Sequence, residues 1–148
     1  MTTTWILVAD RSTATLFAKG KRWDQLTLIE ALDNPDGRAH EGDLVTDQGG
    51  AVFQSAGQGQ RRSTEPQVSA TEHAANLFAG TLAEQLRKAR VDNQLEELVI
   101  VAAPDFLGRI RAKLDASTAN LITHEIDKHY TQKDSDELGR ALQQRLGL

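Results

Sequence analysis

Between Glu97 and Leu114 the chain reads ELVIVAAPDFLGRIRAKL, and this stretch constrains the fold more than any other. Leu98 to Ala103 is an unbroken apolar run with no alternation, as expected for a strand covered on both faces, and Pro104 stops it. Helical spacing then takes over. Phe106, Leu107, Ile110 and Leu114 recur at steps of three and four, with Arg109, Arg111 and Lys113 placed on the polar side. Pro104 suits a first helical turn and Asp105 the positive end of the helix dipole. A strand, a tight turn and a helix at the centre of a sheet define an α/β domain.

The remaining elements follow from patterning. Trp5–Ala9, Thr13–Ala18 and Leu26–Leu32 read as strands joined by short polar links, which predicts a three-stranded antiparallel meander. In the third strand Leu26, Leu28 and Leu32 are assigned to one face. Residues 35–68 then hold six of the eleven glycines, with Gln48, Gln54, Gln58, Gln60 and Gln67, and too few bulky apolar residues for a core. A long mobile loop is expected here. Ser69 and Glu72 have capping-box spacing, so the longest helix is predicted to start there and to run to about Arg90 on a stripe of Ala74, Leu77, Phe78, Leu82, Leu86 and Ala89. Asp92–Asn93 ends it. A strand over Leu121–Ile126, of mixed polarity as at a sheet edge, precedes a helix opened by the Asp134/Glu137 pair and striped by Leu138, Ala141, Leu142 and Leu146. The order βββ, loop, αβαβα predicts one α/β domain with a mixed five-stranded sheet and helices on its faces.

Composition narrows the chemistry. A chain of 148 residues suits one domain that buries about 70% of its unfolded surface. The absence of cysteine excludes disulfides, thiolate metal sites and cysteine catalysis. The start MTTTWILVADR has no basic region and its apolar run ends at Asp10, so neither a signal peptide nor a membrane span is predicted, and a cytosolic protein is expected. A net charge of -4 argues against a broadly basic surface, although a local arginine pair can still meet phosphate. His40, His73, His124 and His129 lack metal-ligand spacing, and no phosphate-binding glycine motif occurs, so no cofactor is expected.

Two groups of residues remain as functional candidates. The tract Gly57-Gln58-Gly59-Gln60-Arg61-Arg62 lies near the end of the expected loop. Asp10 ends the first strand, Glu72 starts the long helix and Asp105 follows the central strand, and the order of elements resembles that of the ribonuclease H fold, whose carboxylates gather divalent metal for phosphodiester cleavage. A turn explains Asp10, a capping box Glu72 and a helix start Asp105 equally well. Asp127, Lys128 and Thr131 are assigned to a turn held by side-chain to backbone bonds.

Taken together, WILVADRSTATLF, GDLVTDQGG, ATEHAANLFAGTLAEQL, LVIVAAPDFLGRIRAKL and EIDKHYT resemble the bacterial family named "protein required for attachment to host cells". That family is in turn similar to the middle domain of archaeal and eukaryotic peptide-chain release factors and of Pelota. The resemblance implies a loop that carries Gly-Gly-Gln into the peptidyl transferase centre, with the glutamine helping water to cleave the peptidyl-tRNA ester. Here Gln58 stands where that pattern has its first glycine, before Gly59-Gln60, and near this point, where related attachment proteins tend to show a Gly-Arg-His feature, Arg61-Arg62 replaces the histidine. The expectation is therefore a non-hydrolytic module that binds the ribosome, rRNA or tRNA through Gly57–Arg62, acting with another translation or attachment protein. An indirect role in attachment, a Gln60-dependent peptidyl-tRNA hydrolase and a metal-dependent nuclease are the alternatives.

Overall fold

The computed structural model describes residues 3–37 and 56–146, the side chains of 56–69 excepted. Strands β1 (Thr4–Ala9), β2 (Thr13–Lys19) and β3 (Leu26–Asp33) form the meander, and a 3-10 turn follows at Pro35–Gly37. Then come α1 (Ala56–Val91), β4 (Glu97–Ala102), α2 (Pro104–Lys113), α3 (Ala116–Ala119), β5 (Ile122–Ile126) and α4 (Ser135–Leu146). The five strands lie in the order β3-β2-β1-β4-β5, with β4 parallel to both β1 and β5.

The expected mixed sheet with helices on its faces is what forms. β1, rather than β4, is the middle strand, and both are buried on each face. On one face Leu7, Leu16, Leu98 and Ile100 meet α1 and α2, with Phe78 and Phe106 in ring contact at 5.9 Å. On the other, Ile6, Val8, Val99 and Val101 meet Leu138 and Leu142 of α4. Burial of these aliphatic side chains contributes about 1.5–3 kcal/mol each.

Three readings change. The chain is helical from Ala56, so residues 56–68 of the expected loop, Gly57–Arg62 among them, belong to α1. Residues 38–55, with His40, Gln48, Gln54 and the GDLVTDQGG motif, lie outside the described residues. Ser69 and Glu72 fall inside a helix and cannot cap its start. The buried stripe of α1 is Ala75, Phe78, Ala79, Leu82, Ala83, Leu86 and Ala89, while Leu77 is exposed. Finally, β3 carries a bulge: Leu16 pairs with Glu30 and Phe17 with Leu28, leaving Ile29 as the extra residue. The extra residue shifts the alternation by one. Leu26 therefore packs with the α4-side core and Leu32 with the α1-side core.

Other signals are confirmed. Pro104 opens α2. Asn93 takes a left-handed conformation (φ 60), while Gln94 N donates to Ala89 O at 2.8 Å, a helix-closing arrangement for α1. At α4 the capping box is made in both directions: Glu137 N donates to Asp134 Oδ1 at 2.8 Å and Asp134 N to Glu137 Oε1 at 3.1 Å.

Candidate functional site

In open α/β sheets, ligands bind beyond the carboxyl ends of the strands, and the chemistry-bearing side chains of this protein converge there. β1 ends at Ala9, and Asp10 folds the chain back into β2. Its Oδ1 accepts the amides of Ser12 and Thr13, both at 2.8 Å, and the Ser12 hydroxyl at 3.0 Å. Its Oδ2 accepts the Thr131 hydroxyl at 3.2 Å, which ties the segment before α4 to this turn. Burial pushes the Asp10 pKa up, but these amide and hydroxyl donors outweigh it and hold the carboxyl below its ordinary value.

With the turn fixed, Arg11 is aimed at two helices. Its Nη2 donates to Asp105 Oδ2 at 2.8 Å and, more distantly at 3.4 Å, to Glu72 Oε2. The other Glu72 oxygen accepts from Arg109, whose Nη1 also reaches Asn76 Oδ1 at 2.8 Å. Arg109 thus points inward, with its side chain only 20% exposed, rather than standing on a solvated face. Its Nε is buried without an acceptor. The Arg109 hydrogen bond, aided by Arg11, lowers the Glu72 pKa; for Asp105, burial acts upward and is overcome by the Arg11 contact.

The corner is closed from a third side. Asn34 Nδ2 donates to Arg11 O at 2.9 Å and to Ala74 O at 3.3 Å, and Asn34 N to Ser12 O at 2.7 Å. Gly37 approaches so closely that a Cβ there would lie 2.1 Å from Arg11 O. No residue but glycine fits.

The structure therefore brings Asp10, Glu72 and Asp105 to one corner but commits each carboxylate elsewhere. Guanidinium groups occupy the oxygens of Glu72 and Asp105 that a metal would need, and the donor set does not fit a two-metal nuclease. Among the described residues no group of three or more His, Cys, Asp or Glu is arranged to hold a metal ion. His73, His124 and His129 are all exposed. What the arrangement does is clamp the β1–β2 turn, α1 and α2 together.

Arg11, Asn76, Arg109 and Thr131 are the members that sequence reasoning missed. Arg109 and Glu72 are 37 residues apart, and no local spacing announces their contact. Thr131 was placed in a turn, correctly, but its hydroxyl serves Asp10 across 121 residues. The tract Gly57–Arg62 lies apart from this corner in sequence, in the opening turns of α1. No helix among the described residues is long and apolar enough to cross a membrane.

Comparison with known proteins gives three similarities. An uncharacterized protein of Rickettsia prowazekii (strain Madrid E) is 31% identical over 80 residues, which span 53% of this chain and 53% of that protein. The crystal structure of an archaeal translation termination factor superposes over 98% of this chain and 39% of its own, with a TM-score of 0.46 and 9% identity. The third is a family model that matches residues 5–142, from β1 into α4, and by it the chain belongs to the family described as "protein required for attachment to host cells".

Proposed function

We propose that this member of the attachment family is a binding module that holds structured RNA, with the ribosome as its first target, through the opening turns of α1. The observation that carries the reading is where α1 begins. Because the backbone is helical from Ala56, Gln58, Arg61 and Arg62, three and four residues apart, share one side of the helix. Arginine forks match phosphate geometry, and glutamine amides add hydrogen bonds without charge. In a chain of net charge -4 this attraction is local and strongly screened by salt.

Catalysis by Gln60 is disfavoured on two grounds. Gln58 removes the backbone freedom of paired glycines, and helical hydrogen bonding fixes the chain where a catalytic loop needs to extend. The Arg-locked carboxylates at the sheet end disfavour the nuclease. The attachment named in the family description is then an indirect consequence of binding RNA or the ribosome.

Sucrose-gradient fractionation of lysate at low and high salt tests this, with Arg61→Ala/Arg62→Ala as the comparison. Salt-sensitive co-migration with ribosomal particles, lost in the double variant, is expected. With purified structured RNA, the slope of log K against log salt should become shallower by about two in the variant. Migration at the top of the gradient at both salt concentrations, with no binding to purified RNA, overturns the reading.

A further inference from the structure

We propose that the outer face of α1 from Leu77 to Val91 is a docking groove for an acidic amphipathic helix of a partner protein. An open groove of about 610 Å3 runs there, floored by α1 and bordered by Lys113 in the last turn of α2. Large apolar side chains are exposed at only four described positions, and two of them, Leu77 (59%) and Val91 (53%), belong to this stretch. They are separated by about four helical turns, roughly 21 Å, which brings them back to nearly the same side of α1, with Glu84 and Lys88 between them. Gly80 lies in the same stretch, and a Cβ there would meet nothing within 4 Å. No contact inside the described chain requires that glycine, which costs a helix interior about 1 kcal/mol relative to alanine, whereas the close approach of an outside backbone uses it.

Charge identifies the occupant. Most polar groups of the groove are spent within the chain: Glu84 gives both oxygens to Arg87, Gln85 donates to Glu30, Asn76 accepts from Arg109, and the Thr81 hydroxyl donates to Leu77 O at 3.0 Å. Lys88 and Lys113 are exposed and, among the described residues, neither makes a hydrogen bond or ion pair; Glu84 feels Lys88 through space alone. Two uncommitted ammonium groups beside an exposed apolar stripe complement a segment that sets carboxylates next to apolar side chains. A helix laid along α1 does so, with its apolar row on Leu77, Gly80 and Val91 and its acidic flank on the lysines. A second copy of this chain does not. A two-fold contact needs a self-complementary face, and this one offers only cations, its acid being already spent on Arg87. The exposed leucine and valine favour a protein over RNA, whose backbone has phosphates but no apolar side chains.

The probe is a synthetic fluorescein-labelled helical peptide of about five turns with a leucine row flanked by glutamates, compared with a counterpart carrying glutamine for each glutamate. The full chain should bind the acidic peptide saturably in fluorescence anisotropy, with the Gly80 and Thr81 amide signals shifting in 15N-edited spectra, and bind the glutamine peptide roughly tenfold or more weakly. Lys88→Glu/Lys113→Glu and, separately, Leu77→Lys should each weaken the acidic peptide by about tenfold or more. All three side chains are exposed, so the urea midpoint should stay where it is. Arg61→Ala/Arg62→Ala should leave peptide binding unchanged, which separates this face from the RNA reading of the opening turns. No saturable binding up to about 1 mM, binding that survives the charge reversal, shifts that avoid Gly80 and Thr81, or self-association through this face each overturns the proposal. Loss of RNA binding in Lys88→Glu/Lys113→Glu without any peptide binding overturns it too and gives the lysines to RNA.

Discussion

Ser69–Glu72 and Asp134–Glu137 carry the same helix-start pattern, an acceptor followed three residues later by a glutamate, and only one of the two starts a helix. At Asp134–Glu137 both reciprocal bonds form and α4 begins. At Ser69–Glu72 the helix is already under way, and Glu72 turns to Arg11 and Arg109. The difference teaches that a local cap is kept where nothing stronger competes. Glu137 is exposed and has only its own helix to bond, whereas Glu72 lies within reach of two arginines fixed by other elements. A carboxylate between two guanidinium groups is ion-paired as well as hydrogen-bonded, whereas in a cap bond to a backbone amide only the carboxylate is charged.

The largest expected effect asks whether the cap or the packing positions α4. A Cβ at Gly139 would lie 2.5 Å from Trp23 O, a backbone atom that cannot swing aside. Gly139→Ala should therefore cost about 1–3 kcal/mol, more than loss of the cap, read from the midpoint of urea unfolding. A smaller cost than that of Asp134→Ala would make the capping box the dominant constraint.

Glu72→Ala should cost about 1–2 kcal/mol, because it takes the acceptor from Arg109 Nη2 on a side chain only 20% exposed, while the contact itself is partly exposed and screened. The same contact carries a pH signature. Glu72, Asp105 and Asp10 all have folded pKa values below their ordinary ones. Their contribution is thus fully present above the ordinary carboxylate range, about pH 4, and is lost as pH falls through the lower folded values. Urea midpoints followed from neutral to acid pH should drop less steeply for Glu72→Ala than for the unaltered protein. Equal slopes would detach Glu72 from the clamp.

Asp134→Ala comes next, at about 1 kcal/mol for a lost N-cap. Ser69→Ala should be the smallest, within about 0.5 kcal/mol and favouring alanine, since an interior helix position prefers it. A cost at Ser69 equal to that at Asp134 would move the start of α1 to where the capping pattern predicts it.

These contrasts also explain what was readable in the sequence. The stretch from Leu98 to Ile110 was legible because burial on both faces of β4 and on one face of α2 leaves a direct periodic mark. The start of α1 was not, because Gly57, Gly59 and Pro66 are all poor interior residues, and Pro66 alone disfavours a helix by about 3 kcal/mol. The faces of β3 were misassigned beyond Leu28, since a single extra residue, Ile29, reverses the phase without any Gly to announce it. The corner itself was half visible. Asp10, Glu72 and Asp105 stood out as acids, but their partners looked like ordinary surface residues until long-range folding paired them.

The double hydrogen bond of the Asn34 amide has a consequence for how this protein tolerates change. By holding Arg11 O and Ala74 O at once, it rivets the chain's departure from the sheet and its return along α1 to the same point. A substitution along this seam is therefore felt at the end of β3 and in the middle of α1 together, because one side chain serves both.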